Sequence, residues 1–434
     1  MVNSGNGPQW PLIKLVETCR SIGIPTVFWN KEDPPHFREY LPTAKLFDFV
    51  LTSDGDMVSN YCAKTSARGV ELLRFAANPR IHNPSQVDGY RGGDIAFAGQ
   101  YFADKFPERR QQMQDLFGPA QMYDFSIYSR GLGGKDIYQF PDPWDQYVVG
   151  SLPYEEMVKA YRRHKIFLNV NSVTSSSTMC ARRIFELSAA KTAVVGMHSE
   201  AVRSVYTDEH ILLATKPSEV ADIYEYLLAA PDAETNRKRI VQRAWRHTLS
   251  HHTYRHRLQQ IAELVGIAPP VSKIEVLVFA DGPSSTLLKD IESQQFTLSE
   301  KVQIRIHNIN DDVDDGFDSF SASGDKENRF IAFMSEQYRY GPFYLNDLLL
   351  SSDQQSAKFV AKTLSVEDKM NEETWSDTLP KYGWLARLDG ETPRDFLVFI
   401  ESGQQLAKGC TVYLSDAIGI DIAGRRRTNP LFTV

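Results

Sequence analysis

The sequence predicts an α/β protein built from parallel sheets. Short apolar runs alternate with amphipathic helical patterns along most of the chain, which is typical of βα units. The alternation restarts near residue 93 and again near residue 272, and 434 residues are too many for one compact core. We therefore expect three domains, at residues 1–92, 93–268 and 272–434.

The first domain opens with a helical pattern at residues 12–22 that ends at Gly23. Apolar runs at 25–29, 47–51 and 70–73 then predict three strands, separated by polar turns and short helices. In sheets of this kind ligands bind at the carboxyl ends of the strands. We therefore expect a short Rossmann-like domain with functional residues at those ends.

The second domain reads as a complete doubly wound unit. Helical patterns at 105–117, 153–164 and 182–190 separate its predicted strands, and a nearly continuous helical pattern at 218–267 ends at Pro269-Pro270. The strands are expected at 94–98, 123–127, 147–149, 166–170, 193–195 and 211–213. We interpret the histidines near residues 251–256 as surface imidazoles rather than metal ligands. Apolar runs at 273–280 and 302–306 open the third domain.

Composition excludes several classes of protein. Lys and Arg total 48 against 55 Asp and Glu, and this net charge of −7 provides no overall field for a nucleic acid. Four scattered cysteines without a C-x-x-C pair favour a reduced cytoplasmic protein over a disulfide framework or a zinc site. No segment approaches the length of a transmembrane helix. Peripheral membrane association and homo-oligomerisation stay open.

The segment from Asn169 to Ala190 holds the most informative pattern. A strand runs into a Ser/Thr-rich loop, and the following helix begins with Arg182, Arg183 and Glu186. A helix start with arginines can bind a diphosphate, and a carboxylate one turn later can accept both hydroxyls of a ribose. The alternative is a simple cap in which Arg182 and Glu186 form an i,i+4 surface pair.

Two further groups of residues follow predicted strands. Gly99 is followed by Arg109 on the next helix, an arrangement that either lets a phosphate approach the backbone or is an ordinary turn. Glu32, Asp33 and His36 follow the strand at 25–29 and could serve as a base or bind an acceptor hydroxyl. The alternative for these three is an Asx turn that caps the next helix.

Several ordered motifs resemble the CgeB-like (spore maturation protein) glycosyltransferases over roughly residues 10–265. The motifs are Ile24-Pro-Thr-Val-Phe-Trp-Asn-Lys-Glu-Asp-Pro34, Phe47-Asp-Phe-Val-Leu-Thr-Ser-Asp54, Ala76-Ala-Asn-Pro79 with His82-Asn-Pro84, and Arg183-Ile-Phe-Glu-Leu-Ser-Ala-Ala190. The resemblance implies a GT-B architecture, with an acceptor domain followed by a donor domain and no bound metal. The acceptor domain is expected to be shorter than is usual in that family.

The resemblance also implies roles for individual residues. Arg183 and Arg182 would meet the charge of the departing diphosphate, assisted by the Gly99 loop, and Glu186 would hold the nucleotide ribose. Thr178 stands where related retaining enzymes carry a first glutamate, which leaves the stereochemical outcome open. The predicted donor-binding residues are Gly99, Arg109, Asn171, Thr174, Thr178, Arg182, Arg183 and Glu186.

The third domain resembles known transferases less closely. Residues 330–347 are similar to a segment of GT-A transferases, with Ser335, Glu336 and Gln337 where metal-binding aspartates would stand. We expect a degenerate GT-A-like module that supports the structure or binds acceptor, with a second active transferase as the less favoured alternative.

The function predicted from these observations is transfer of a sugar from a nucleotide-diphosphate donor to a glycan or surface-polymer acceptor. No cofactor is expected beyond the donor itself. The alternative is a non-catalytic pseudo-glycosyltransferase that binds nucleotide or glycan as a scaffold. An oxidoreductase on the same sheet is disfavoured because no G-x-G-x-x-G fingerprint is present.

Overall fold

A computed structural model describes residues 10–85, 91–269, 272–298, 300–309, 320, 328–362, 374–376, 383–388, 412–415 and 420–422. The described chain forms three α/β units, called here the first unit (10–85), the second unit (91–269) and the third unit (272–422). Each unit is built around its own sheet. The α/β class with parallel Rossmann-like sheets, predicted from the sequence, is confirmed.

The first unit is a three-stranded parallel sheet in the order β1-β2-β3. Its strands are β1 (Val27–Asn30), β2 (Phe49–Thr52) and β3 (Gly69–Leu72), and its helices are α1 (Trp10–Ser21), α2 (Phe37–Ala44) and α3 (Val58–Lys64). All four side chains of the central strand β2 are buried, because this strand has a neighbour on each side and helices against the sheet. Polar residues follow β1 and β2 at the carboxyl edge.

The second unit is a six-stranded parallel sheet in the order β6-β5-β4-β7-β8-β9. Its strands are β4 (Gly93–Gly99), β5 (Phe125–Ser129), β6 (Val148–Gly150), β7 (His164–Asn169), β8 (Ala193–Met197) and β9 (Leu212–Ala214). Its helices are α4 (Pro107–Ala120), α5 (Tyr154–Arg163), α6 (Arg182–Ala189), α7 (Glu200–Arg203), α8 (Ser218–Tyr224), α9 (Ala233–His251) and α10 (Tyr254–Leu264). Apolar clusters cover both faces, with α4 and α8 on one and α5, α6 and α9 on the other.

The third unit contains a mixed sheet in the order β11-β10-β12-β16-β14-β17-β15 and a two-stranded pair, β13 with β18. Its strands are β10 (Lys273–Asp281), β11 (Lys301–Asn308), β12 (Arg329–Ser335), β13 (Tyr338–Tyr340), β14 (Phe359–Lys362), β15 (Thr374–Ser376), β16 (Trp384–Arg387), β17 (Val412–Ser415) and β18 (Ile420–Ile422). Its helices are α11 (Ser285–Glu292) and α12 (Tyr344–Gln355). Strands β10, β11 and β12 are parallel, and β16 is antiparallel to β12.

The third unit packs on the second through buried polar contacts between α12 and α9. The carboxylate of Asp347 accepts hydrogen bonds from Nε of Arg246 at 2.6 Å and from Gln242 at 2.9 Å. Trp245 donates to Gln354 at 2.9 Å. In the region predicted as a degenerate metal motif, the Ser335 hydroxyl is buried and donates to Asp281 at 3.3 Å.

Among the described helices, none is long and apolar enough to cross a membrane. Cys19, Cys62 and Cys180 are free thiols, while Cys410 lies outside the described residues.

His251 is exposed, as predicted, whereas His247 and His252 are partly buried and packed against each other. The ring of His247 stacks on His210 at a centroid distance of 4.8 Å and lies 5.0 Å from the ring of His252. Helix α9 ends at His251 and α10 begins at Tyr254, so that the break in the helix folds the rings onto one another. The sequence pattern missed this because it resembled one uninterrupted helix.

Because these histidines are partly buried, we expect the protein to lose stability in mild acid. Burial, and then the neighbouring imidazoles of His210 and His251, lower the pKa of His247 to about 4, and burial together with Arg257 lowers the pKa of His252. These histidines bind protons near pH 6.5 in the unfolded chain but not in the folded chain. They therefore cost no stability above pH 6.5, and the free energy of unfolding falls as the pH drops from 6.5 toward 4. Because these rings are partly exposed, we expect the free energy of unfolding to fall by only about 1 kcal/mol for each of His247 and His252 between pH 6.5 and 5.

Urea titrations at several pH values measure this effect. The matched variant His247→Gln should flatten the dependence on pH between 6.5 and 5. An equally steep dependence in that variant would show that other groups are responsible.

Candidate functional site

The strand order of the second unit reverses between β4 and β7, which opens a crevice at the carboxyl ends of these strands. Gly99 is the last residue of β4 and lies at this crevice. A Cβ atom on Gly99 would lie 2.6 Å from the ring of Phe97 and 3.1 Å from the guanidinium of Arg109. Glycine is therefore required here because a Cβ atom would collide with the ring of Phe97, and its absence also leaves room for Arg109.

Arg109, from α4, spans the reversal point. Its guanidinium donates to the carbonyl oxygen of Val170 at 2.8 Å, just after β7, and to that of Gln100 at 3.4 Å, just after β4. It also donates to the hydroxyl of Ser172 at 3.2 Å. This side chain is 8% exposed, so its charge is held largely out of solvent.

Two more arginines lie at the carboxyl ends of the same sheet. Arg183, in the first turn of α6, donates through its guanidinium to the carbonyl oxygen of Ala98 and through Nε to the hydroxyl of Tyr161 at 3.3 Å. Arg130 directly follows β5, and its backbone N–H donates to the carbonyl oxygen of Gly99 at 2.8 Å. We call Arg109, Arg130 and Arg183 the arginine site.

The arginine site carries positive charge without a compensating carboxylate. Within the described chain, none of the three guanidinium groups forms an ion pair. Burial, and then the charges of Arg183 and Arg130, lower the pKa of Arg109 to about 10. The Nε of Arg109 is buried without a hydrogen-bond partner. An anion bound here would relieve the repulsion and supply acceptors for these donors.

The predicted loop residues Asn171 and Thr174 differ in their placement. Asn171 is buried, and its backbone N–H donates to Gln112 of α4 at 3.0 Å, which fixes the start of the loop. Its side chain accepts from Asn169 at 3.1 Å. Thr174 is exposed and forms no hydrogen bond with the described residues. Of the two, Asn171 positions the loop and Thr174 is free to meet a ligand.

The predicted residue Thr178 lies where the loop meets the first unit. Its hydroxyl accepts the backbone N–H of Gly55 at 2.7 Å, and its carbonyl accepts from Arg74 at 3.1 Å. Nearby, the hydroxyl of Ser176 donates to the buried carboxylate of Asp54 at 2.9 Å. The carboxyl ends of β2 and β7 therefore meet, and the loop that borders the arginine site also joins the two units.

This junction predicts the effect of Ser176→Ala. The change leaves the Asp54 carboxylate without one buried donor and should cost about 1–3 kcal/mol, since the pair involves a charged group. We expect faster hydrogen exchange at residues 54–57 and 176–181, measured by mass spectrometry. The exposed neighbour Ser175 serves as the control, and Ser175→Ala should leave exchange unchanged. Equal exchange in both variants would contradict the contact.

Arg182 and Glu186 form the i,i+4 pair that the sequence left open as an alternative. The Nε of Arg182 lies 2.7 Å from Oε1 of Glu186, and the guanidinium lies over the ring of Tyr154. Glu186 is 1% exposed, and both of its oxygens accept protein hydrogen bonds. Within the described chain, Arg182 forms no hydrogen bond with the strand ends to which Arg109 and Arg183 donate.

The three predicted catalytic residues lie at the end of β1 in the first unit. Asp33 is fully buried, its carboxylate accepts from Asn30, Thr52 and Tyr61, and burial raises its pKa. Glu32 and His36 are exposed. Among the described residues none of the three forms a hydrogen bond or ion pair with the second unit.

An Asx turn is present, but Asn30 forms it and it does not cap the next helix, as the alternative for these residues had predicted. Asn30 Oδ1 accepts the backbone N–H of Glu32 at 3.1 Å. His36 precedes α2 without a capping side-chain bond and lies 3.1 Å from Glu39.

Sequence reasoning missed Arg130, Tyr154 and Tyr161. Arg130 follows a predicted strand as directly as Gly99 does, and that position was the available signal. Tyr154 and Tyr161 lie seven residues apart on α5, a spacing that places them on one helix face. Which carboxylate they would meet depends on the packing of α5 against α6, which no local pattern encodes.

Two further features of the described chain bear on ligand binding. Within the described ranges, no group of three or more His, Cys, Asp or Glu side chains could hold a metal ion. A separate pocket of about 270 Å³ lies where the three units meet, and its lining includes Asn78, Arg80, Tyr254, Arg255 and Asp353.

One family model matches most of the second unit. Residues 109–263 match the family model Glyco_trans_1_2, described as glycosyl transferase-like. The match covers most of the second unit, which includes Arg109, Arg130 and Arg183, and less than half of the chain. It bears out the expectation of a transferase. The narrower likeness to CgeB-like proteins is not confirmed by it, and no curated protein matches the sequence.

Three solved structures resemble the chain at low identity. HepE from Anabaena in complex with UDP-glucose is 12% identical with a TM-score of 0.44, and the alignment covers 59% of this chain and 76% of that one. Sucrose-phosphate synthase from Thermosynechococcus elongatus is 14% identical with a TM-score of 0.39, over 54% of this chain and 61% of that one. A glycosyltransferase from Rickettsia africae is 12% identical with a TM-score of 0.39, over 60% and 82%.

Proposed function

We propose that this protein transfers a sugar from a nucleoside-diphosphate donor to a glycan or surface-polymer acceptor. The proposal rests mainly on the arginine site. Arg109, Arg130 and Arg183 lie together at the strand ends where the strand order reverses, and none of them has an ion-pair partner in the described chain. The unit that holds them matches a glycosyl transferase-like family model. A diphosphate carries charge of the matching sign and accepts several hydrogen bonds at once.

The arginine site supports catalysis by stabilising the leaving group. When the bond from the sugar to the diphosphate breaks, negative charge grows on the diphosphate oxygens. Guanidinium groups already held in place by the carbonyls of Ala98 and Val170 meet that charge without having to reorient. The largely buried position of Arg109 strengthens this interaction, because water screens it less.

The acceptor is assigned to the first unit, whose carboxyl edge meets that of the second at the contact of Gly55 with Thr178. Glu32 and His36 are exposed at this edge and available to an acceptor hydroxyl, while the buried network of Asp33 holds the turn that presents them. Positioning donor and acceptor across one cleft would supply a further part of the rate enhancement.

We also propose that transfer needs no bound metal, since the three arginines can take the role of a cation beside the diphosphate. Addition of EDTA should therefore leave the initial rate unchanged within experimental error. A rate that is abolished by EDTA and restored by Mg²⁺ or Mn²⁺ would contradict this part of the proposal.

The proposal is tested in two stages. Calorimetric titration with UDP, GDP and ADP measures whether a nucleoside diphosphate binds, and release of nucleotide from the matching sugar donors in the presence of glycan acceptors measures turnover. Saturable binding and acceptor-dependent release are expected. Absence of binding at millimolar nucleotide would refute the proposal.

One observation favours the non-catalytic alternative. Thr178 stands in place of a glutamate found in related retaining enzymes, and its hydroxyl is already engaged by Gly55. Tight nucleotide binding without release of nucleotide from any sugar donor would support a scaffold role instead.

A further inference from the structure

Glu186 is the centre of a buried hydrogen-bond network in the second unit. Its Oε1 accepts from the hydroxyl of Tyr154 at 3.0 Å and lies 2.7 Å from Nε of Arg182, and its Oε2 accepts from the hydroxyl of Tyr161 at 3.0 Å. The ring of His82 adds a contact, with Nε2 2.7 Å from the hydroxyl of Tyr154. A carboxylate with this many protein donors is satisfied without a ligand.

Tyr161 connects this network to the arginine site. Its hydroxyl donates to Glu186, and its oxygen accepts from Nε of Arg183 at 3.3 Å. The other end of the Arg183 guanidinium is bound by the carbonyl of Ala98. Two neutral acceptors therefore fix the orientation of Arg183 at the crevice.

We propose that Tyr161 is the positioning residue of the arginine site: its hydroxyl, oriented by Glu186, holds the Arg183 guanidinium toward the donor diphosphate. Glu186 acts through Tyr161 and not by binding the nucleotide ribose. This inference rests on the proposed function, because it assumes that a nucleoside diphosphate binds at the arginine site.

The use of an intervening hydroxyl has an electrostatic reason. A carboxylate bound directly to Arg183 would fix its orientation and also neutralise its charge, which would weaken its attraction for a diphosphate. A tyrosine in between transmits the orientation and leaves the charge available. Burial, partly offset by Arg183 and reinforced by Glu186, raises the pKa of Tyr161 to about 12, so the hydroxyl keeps its proton at neutral pH.

Tyr154 provides a matched control on the same helix. Its hydroxyl also donates to Glu186, but among the described residues it forms no hydrogen bond with Arg183. We expect Tyr161→Phe to raise the Kd for the nucleoside diphosphate about five- to tenfold, because Arg183 keeps its charge and loses only one of the two contacts that orient it. Tyr154→Phe should change the Kd less than twofold. Equal effects of the two variants would overturn the positioning role.

A double-mutant cycle separates positioning from general damage to the fold. In an Arg183→Ala background, Tyr161→Phe should have no further effect on the Kd, because the group that it positions is gone. If the two changes multiply instead, Tyr161 acts independently of Arg183 and the inference fails. Thermal unfolding of each variant verifies that the compared proteins are folded.

The role of Glu186 is tested with UDP or GDP, whichever the wild type binds, and with its 2′,3′-dideoxy analogue. If Glu186 acts through Tyr161, Glu186→Gln weakens binding of both nucleotides by the same factor. If Glu186 holds the ribose, the penalty disappears with the analogue, and that result would overturn the inference. Failure of the wild type to bind any nucleoside diphosphate would instead refute the proposed function itself.

Discussion

Arg183→Ala should raise the Kd for the nucleoside diphosphate about 10- to 100-fold and lower kcat/KM about 10²- to 10³-fold. The side chain joins the end of β4 to Tyr161 and has no carboxylate partner among the described residues, so its charge is available to the ligand. The larger effect on kcat/KM is expected because charge on the diphosphate grows in the transition state. Titration calorimetry and steady-state kinetics measure the two quantities.

Arg182→Ala is the control for this variant. It removes the same side chain from the adjacent position, where the guanidinium is half-exposed and bound to Glu186. We expect a change of several-fold at most in either quantity. If Arg182→Ala is as damaging as Arg183→Ala, the assignment of the diphosphate to the arginine site is wrong.

Asp347→Ala should destabilise the protein by about 3–5 kcal/mol. Asp347 is 1% exposed, and its carboxylate binds Arg246 of the second unit and lies 3.5 Å from Nζ of Lys362 of the third unit, which is also buried. Removal of the carboxylate leaves two buried cations without their shared anion. Urea unfolding monitored by tryptophan fluorescence measures the effect, because Trp245 lies beside this contact.

Asp353→Ala is the matched control on the same helix. Its side chain is exposed and forms no hydrogen bond or ion pair within the described ranges, so the variant should lie within about 0.5 kcal/mol of the wild type. An Asp347→Ala protein as stable as this control would mean that the second and third units are held together by other contacts.

Strands and helices could be predicted from the sequence where a run of consecutive residues is buried. The apolar run at 47–51 predicted a strand, and the structure has β2 (Phe49–Thr52), because a central strand must be apolar on both faces. The break between α9 and α10 was missed, because the pattern on both sides of His252 is helical and only tertiary packing turns the chain there.

Only part of the candidate site could be predicted from the sequence. Gly99, Arg109 and Arg183 were identified because each follows a strand or begins a helix at the expected edge. The buried state of Asp33 could not be predicted, since its partners Thr52 and Tyr61 come from distant elements. The same holds for Glu186, whose environment depends on how α5 packs against α6.

The proposed function requires that a nucleoside diphosphate binds at the carboxyl ends of β4, β5 and β7. A crystal structure with UDP or GDP bound tests it most directly. Diphosphate oxygens are expected within hydrogen-bond distance of Arg183 and of Arg109 or Arg130. A nucleotide found instead in the pocket beside Tyr254 and Arg255, with the arginine site unchanged, would contradict it.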